Sequence, residues 1–76
     1  MTDFGYEALA QAIIVQASRD YADALKKLKR NPRHKSSLET KAEVEDFFRS
    51  EWYESLTTVD GEMIIRKLKE DAGYDG

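Results

Sequence analysis

Apolar residues recur at three- and four-residue spacing over the first part of the chain, from Tyr6 to about Lys29, without an intervening Gly or Pro. This spacing predicts one long amphipathic helix after a short lead-in of residues 1–5. The apolar stripe of this helix consists of Leu9, Ile13, Ala17, Tyr21, Ala24 or Leu25, and Leu28. Ala10 and Ile14 widen the stripe, which indicates that the helix contacts two neighbours.

A second amphipathic pattern follows Pro32, which ends the first helix because the residue before a proline is disfavoured in helical geometry. Ser36 and Glu39 form a capping-box pattern that predicts the start of the second helix. Its apolar positions are Leu38, Ala42, Val44, Phe47, Phe48 and Trp52. Two interpretations of its end stay open: the helix continues to Leu56, or Ser50 caps a separate short turn.

A third helix is predicted to begin at Thr57, which pairs with Asp60 in a carboxylate variant of the capping box. The apolar face of this helix consists of Gly61, Ile64, Ile65, Leu68 and Ala72. Gly61 is expected to allow another backbone to approach closely, and Gly73 is expected to end the helix. Residues 73–76 are expected to form a flexible tail.

These elements predict an all-α fold: a compact three-helix bundle with a long first helix, in a single domain of residues 1–76. A chain of this size buries only about 60% of its unfolded surface. It contains no cysteine, so disulfides and Cys-ligated zinc are excluded as sources of stability. Stability must come from dense packing or from a second chain, and both a monomer and a homodimer stay open.

Net charge and hydropathy limit the kinds of partner that the protein is expected to bind and the cellular location that is expected for it. Twelve Lys and Arg against fifteen Asp and Glu give a net charge of −3, opposite to the basic balance typical of DNA-binding domains. The N-terminus lacks the cationic start and apolar run of a signal peptide, and the longest apolar run is only Ala12 to Val15. We therefore expect a cytoplasmic protein without a membrane segment.

The sequence carries no signature of catalysis. The P-loop, GxSxG and HExxH motifs do not occur. His34 is the single histidine, so a His-based metal site has no second imidazole. The many carboxylates follow the pattern of helix surfaces and caps. We therefore expect a non-enzymatic protein with no metal and no cofactor.

Aromatic residues around the end of the second helix suggest a protein-binding surface. Arg49, Trp52 and Tyr53 have the composition of interface hot spots, and they are the predicted protein-binding residues. Phe47, Phe48 and Trp52 cannot all face one core, because successive residues of a helix turn by about 100°. Phe48 and Trp52 are expected mainly in the core, and Tyr53 is expected to be exposed.

An alternative site is the basic turn, which gathers four basic side chains around Pro32: Arg30, Arg33, His34 and Lys35. Charge-assisted hydrogen bonds from these groups would bind the phosphates of a nucleic acid or a signalling nucleotide. The competing interpretation is a solvated helix end whose cations complement the helix dipole.

Two segments carry a resemblance to a known group of proteins: AIIVQASRDYADALKKLKRNP and DFFRSEWYESLTTVDGEMIIRKL. Their most distinctive parts are FFRSEW, residues 56–62 and the KRNP turn. Over most of residues 10–70 the chain thereby resembles small uncharacterised phage and prophage proteins of Firmicutes. The resemblance implies a phage context and the cytoplasm of a bacterial host, and it transfers no site residue. Because small acidic phage proteins often bind host machinery, it implies an interaction protein that inhibits host machinery or defence.

Overall fold

The structure is a computed structural model that describes residues 4–75. In this part the chain forms four helices: α1 (Phe4–Arg30), α2 (Lys35–Phe48), α3 (Glu51–Leu56) and α4 (Gly61–Ala72). No strand occurs between residues 4 and 75. The prediction of an all-α fold is confirmed, and the expected three helices become four because the second predicted helix is broken.

The long first helix is confirmed, with 27 residues and a length of about 40 Å. It begins at Phe4, so the lead-in is shorter than predicted, and residues 1–3 lie outside the described part. Near its end, Lys29 Nζ donates a hydrogen bond of 3.0 Å to the Ala72 carbonyl. This bond joins the C-terminus of α1 to the C-terminus of α4.

The start of α2 corrects the predicted capping box. The helix begins at Lys35, and His34 rather than Ser36 is its N-cap. His34 Nδ1 accepts a hydrogen bond of 3.2 Å from the Ser37 backbone N–H and lies 2.7 Å from Ser37 Oγ. The ring nitrogen thus satisfies a free helix N–H, which is the role that Ser or Asp usually has at this position.

A break at Ser50 separates α2 from α3. Ser50 Oγ accepts a hydrogen bond from the Tyr53 N–H at 3.1 Å and donates one to the Phe47 carbonyl at 2.6 Å. Of the two interpretations left open for the end of the second helix, the structure therefore has the separate short helix. Beyond the break, the Tyr6 hydroxyl donates to the Ser55 carbonyl at 3.3 Å, which joins α3 to the start of α1.

The cap of α4 also differs from the prediction. Asp60 itself is the N-cap, and its Oδ1 accepts a hydrogen bond from the Glu62 N–H at 3.1 Å. Thr57 Oγ1 instead accepts from the Val59 N–H at 3.2 Å, within the preceding loop. Two short local turns therefore replace the predicted pairing of Thr57 with Asp60.

Both glycines of the third predicted helix act as expected. A Cβ on Gly61 would lie 2.0 Å from the backbone oxygen of Phe48, which confirms the close approach of α4 to the end of α2. Gly73 ends α4 with a φ of 68°, a left-handed conformation that glycine adopts without a steric penalty.

Tyr74, a residue of the predicted flexible tail, packs against the rest of the protein. Its ring is half-buried against the core, and its N–H donates to the Lys69 carbonyl at 2.9 Å. Lys41 Nζ lies 5.9 Å from the centre of the ring. Tyr74 therefore extends the packed part of the chain beyond Gly73, and Gly76 lies outside the described residues.

The core lies between α2, α3, α4 and the C-terminal half of α1. Its buried members are Tyr21, Leu25, Val44, Phe48, Tyr53 and Ile65. The molecule measures 47 × 20 × 19 Å along its principal axes. Its long dimension thus follows α1, whose N-terminal half extends past α2 and α4.

Glu45 sits at the polar edge of this core. The Tyr21 hydroxyl donates to Glu45 at 2.6 Å, and Lys41 Nζ lies 2.9 Å from the same carboxylate. Lys69 and Arg49 lie 3.9 and 3.8 Å away. Burial alone would raise the pKa of Glu45, but the hydrogen bonds from Tyr21 and Lys41 and the nearby cations lower it below its usual value.

Candidate functional site

The predicted protein-binding residues differ in their exposure to solvent. Tyr53 is 1% exposed, whereas Trp52 is 57% exposed, so the expectation for these two neighbours is reversed. In an unbroken helix Trp52 would lie one turn beyond Phe48 on the core face. The break at Ser50 changes this phase, and Tyr53 takes the inward position.

Arg49 is held by carboxylates of its own chain. Its Nε donates to Glu62 Oε2 at 2.5 Å and its Nη2 donates to Glu62 Oε1 at 3.3 Å. The hydrogen bond from Arg49 lowers the pKa of Glu62. This bidentate contact links the end of α2 to the first turn of α4. Arg49 is exposed, but Glu62 engages its Nε and Nη2, and its Nη1 lies 3.8 Å from Glu45 Oε1.

Trp52 is the part of the predicted surface that stays open. Its ring meets Phe47 edge-on, with 5.2 Å between the ring centroids and an angle of 75° between the planes. Phe47 in turn contacts Phe48 and Tyr53. The exposed indole therefore rests on an aromatic cluster that continues into the core. We call Trp52 together with the half-buried Phe47 the Trp52 surface.

One carboxylate lies next to Trp52. Glu51 and Glu54 are in the first turn of α3 and both are exposed, but Glu54 points about 160° away from Trp52 around the helix axis, so only Glu51 is beside it. An aromatic anchor with a charged margin is the usual composition of a non-obligate protein interface.

The basic turn is exposed except for one member. Arg30, Arg33 and Lys35 are exposed, and within residues 4–75 none of them forms a salt bridge. His34 is half-buried, and its Nδ1 is engaged by Ser37. The structure thus keeps three cations of the predicted anion site in solvent and uses the fourth residue as a helix cap.

A groove extends this basic region along the end of α1. It has a volume of about 440 Å³ and is lined by Lys26, Lys27, Lys29, Arg30, Asp71 and Ala72. Four cations face one carboxylate there. The groove is therefore electrostatically suited to an anion, although Lys29 already donates to the Ala72 carbonyl.

Sequence reasoning missed a third surface, the N-terminal segment of α1 (residues 5–15). Tyr6 is 54% exposed, Leu9 59% and Val15 40%. On one side of this segment a groove of about 350 Å³ runs between α1 and Leu56 of α3. The signal was present in the sequence, because a third helix predicted to have about two thirds of the length of the first cannot cover all of its stripe.

Two further observations concern the described residues only. Between residues 4 and 75, no three His, Asp or Glu side chains are grouped closely enough to hold a metal ion. None of the helices in this range combines the length and the hydropathy of a membrane-spanning segment.

Comparisons with known proteins give no relative from which a function could be transferred. No protein-family model matches the chain, and no curated protein and no solved structure matches it at a significant level. Its function must therefore be argued from the three surfaces described above.

Proposed function

We propose that the protein is a non-enzymatic interaction module of phage type that binds a host or phage protein through the Trp52 surface. The observation that carries this proposal is the 57% exposure of the single tryptophan. A large apolar ring at the surface contributes little to folding, and exposed apolar surface of this kind often marks an interaction site. Tryptophan is also among the residues most enriched in binding hot spots.

The setting of Trp52 specifies the kind of partner. Its edge-on contact with Phe47 limits the rotamers of the indole in the free protein, so little side-chain entropy is lost on binding. Exposed Glu51 precedes it in sequence. A complementary partner offers an apolar pocket for an indole and a basic residue beside that pocket.

The proposed biological setting rests on the phage resemblance of residues 10–70 alone. Under this proposal the partner is a component of host machinery or host defence, and the protein is its inhibitor in the cytoplasm of a bacterial host. The proposal applies to a monomer and to a dimer alike.

Replacing Trp52 tests this proposal. The tagged protein and its Trp52→Ala variant are used to capture partners from host lysate, and each captured protein is then titrated in purified form. We expect Trp52→Ala to weaken the specific complex by about thirtyfold or more, as hot-spot truncations do. In the wild type, fluorescence of the single tryptophan should shift to shorter wavelength on binding.

Met63→Ala is the matched control, because Met63 is 47% exposed and lies on α4. It should leave the affinity unchanged, and circular dichroism should show that both variants remain helical. A specific partner that binds wild type and Trp52→Ala equally would refute the proposal.

A second candidate function is phosphate binding by the basic turn, as part of a nucleic-acid or signalling-nucleotide binding protein. The observation that favours it is the exposure of Arg30, Arg33 and Lys35 without a salt bridge in the described part of the chain. Labelled oligonucleotides and a labelled cyclic dinucleotide, titrated at several salt concentrations, provide the test. Binding should fall steeply with salt and be lost in Arg30→Ala/Arg33→Ala, whereas Trp52→Ala should leave it intact.

A further inference from the structure

We infer that two copies of the chain form a symmetric dimer through the N-terminal segment of α1, residues 5–15. This segment shares no residue with the Trp52 surface or with the basic turn. It lies on the part of α1 that neither α2 nor α4 covers along its length.

The composition of the segment is that of a buried helix. Apart from the Tyr6 hydroxyl, Glu7 and Gln11 carry the only polar side-chain groups among residues 5–15. Leu9 and Val15 point about 120° apart around the helix axis, yet both are exposed. A helix that is apolar around most of its circumference is normally buried, and α3 covers only one side of this one.

The surface of the whole chain is larger than that of a compact monomer. It exposes 5583 Å², whereas a folded monomer of 8.7 kDa exposes about 4,700 Å². Its radius of gyration is 13.4 Å, against about 11.4 Å for a compact domain of this length. The chain therefore leaves enough surface uncovered for a standard interface, in which each partner buries about 800 Å².

The distribution of charge favours a second copy as the occupant. From residue 4 to residue 18, Glu7 is the only charged residue in the sequence. Two copies can therefore meet there without strong repulsion, although each carries a net charge of −3. Homodimer interfaces are more apolar than other interfaces and are depleted of charge at their centre.

The same charge pattern disfavours a membrane surface as the occupant. Helices that lie on anionic lipid carry Lys and Arg along their polar face. Between residues 4 and 18, α1 carries no Lys or Arg. A two-fold dimer instead needs the same self-complementary patch on both copies, and the uncharged face around Leu9 provides one.

Sedimentation equilibrium of the full chain over a wide concentration range tests the inference. The wild type should approach a mass of twice 8.7 kDa as concentration rises. Leu9→Glu and Ala12→Glu each place a carboxylate at an exposed position of the segment, and each should raise the dimer dissociation constant at least about tenfold. Because both side chains already face solvent, circular dichroism should show unchanged helicity.

The matched control is Met63→Glu, which introduces the same charge at a 47% exposed apolar site on α4 and should leave dimerisation intact. Trp52→Ala should also still dimerise. The inference is overturned if the wild type stays monomeric at every concentration, or if Leu9→Glu and Met63→Glu dimerise equally. It is also overturned if a monomeric wild type binds phosphatidylglycerol vesicles and Leu9→Glu does not, since the segment would then bind lipid.

Discussion

The two halves of α1 have the same apolar spacing and opposite surroundings. In the C-terminal half, Tyr21, Leu25 and Leu28 are at most 1% exposed. In the N-terminal half, Tyr6 and Leu9 are 54% and 59% exposed. Both halves belong to one continuous helix, so the difference arises from what lies beside each half.

The lengths of the neighbouring helices explain this difference. α2 has 14 residues and α4 has 12, which gives them lengths of about 21 and 18 Å. α1 is about 40 Å long, so these helices cover roughly half of it. Apolar periodicity therefore shows which face of a helix prefers burial, and partner length decides how much of that face is buried within one chain.

The two halves of α1 also differ in the polar contacts that they make with the other helices. The C-terminal half is joined to α2 by the bond from Tyr21 to Glu45 and to α4 by the bond from Lys29 to Ala72. The N-terminal half makes a single such contact in the described residues, from the Tyr6 hydroxyl to Ser55 at 3.3 Å. We therefore expect the free energy of local opening to be lower in the N-terminal half.

The largest expected difference comes from one substitution made in both halves. Leu25→Ala should lower the free energy of unfolding by about 3 to 4 kcal/mol, because it leaves a cavity at a fully buried position. In monomeric protein, Leu9→Ala should change it by less than about 0.5 kcal/mol. Urea unfolding of dilute protein measures both values. Equal losses would show that the N-terminal half is covered within the monomer.

Two glycines give a second matched pair with effects of opposite sign. Gly61→Ala should lower the free energy of unfolding by about 2 to 3 kcal/mol, since the new Cβ would meet the Phe48 backbone and push α4 from α2. Gly5 has no atom within 4 Å of an added Cβ, so Gly5→Ala should be neutral or stabilise by up to about 0.5 kcal/mol. Thermal unfolding of both variants decides this, and a stable Gly61→Ala protein would contradict the close approach of the two helices.

Much of this fold could be predicted from local patterns. The extent of α1, the close approach at Gly61 and the end at Gly73 each depend on a few neighbouring residues. The break at Ser50 could not be decided in this way, because a serine cap and a continued helix are both locally acceptable there. Burial of Tyr53 in the core decides between the capped break and the continued helix. That burial depends on contacts with distant parts of the chain, which a local pattern does not contain.

Three other features were missed for related reasons. His34 is an unusual helix cap, and its use depends on the geometry of the turn after α1. Tyr74 packs because Lys41 and the core are brought near it by the fold. Within the candidate site, Trp52 was expected mainly in the core and Tyr53 at the surface, and the burial of these two side chains is the reverse.

A tyrosine pair compares the polar contacts of the two halves. Tyr21→Phe removes a 2.6 Å hydrogen bond to a carboxylate and should lower the free energy of unfolding by about 1.5 to 2 kcal/mol. Tyr6→Phe removes an exposed contact of 3.3 Å and should change it by less than about 0.5 kcal/mol. Denaturant titrations at neutral pH measure both. A larger loss for Tyr6→Phe would mean that α3 and the start of α1 stabilise the fold more than their exposure indicates.

Acid should act on the two halves unequally. Because the folded-state pKa of Glu45 is lowered, its contribution to stability is present above the usual pKa of 4.5 and is lost as pH falls through the folded-state value. Glu45→Gln, and to a smaller extent Tyr21→Phe, should therefore reduce the acid dependence of the unfolding free energy. Hydrogen exchange as the pH is lowered should show weaker protection around Tyr21, after correction for the intrinsic exchange rate.

Residues 5–15 should respond little to acid, because Glu7 is their only carboxylate and it has no salt-bridge partner within residues 4–75. An equal response in both halves would show that α1 opens as one unit and that its two surroundings do not divide it.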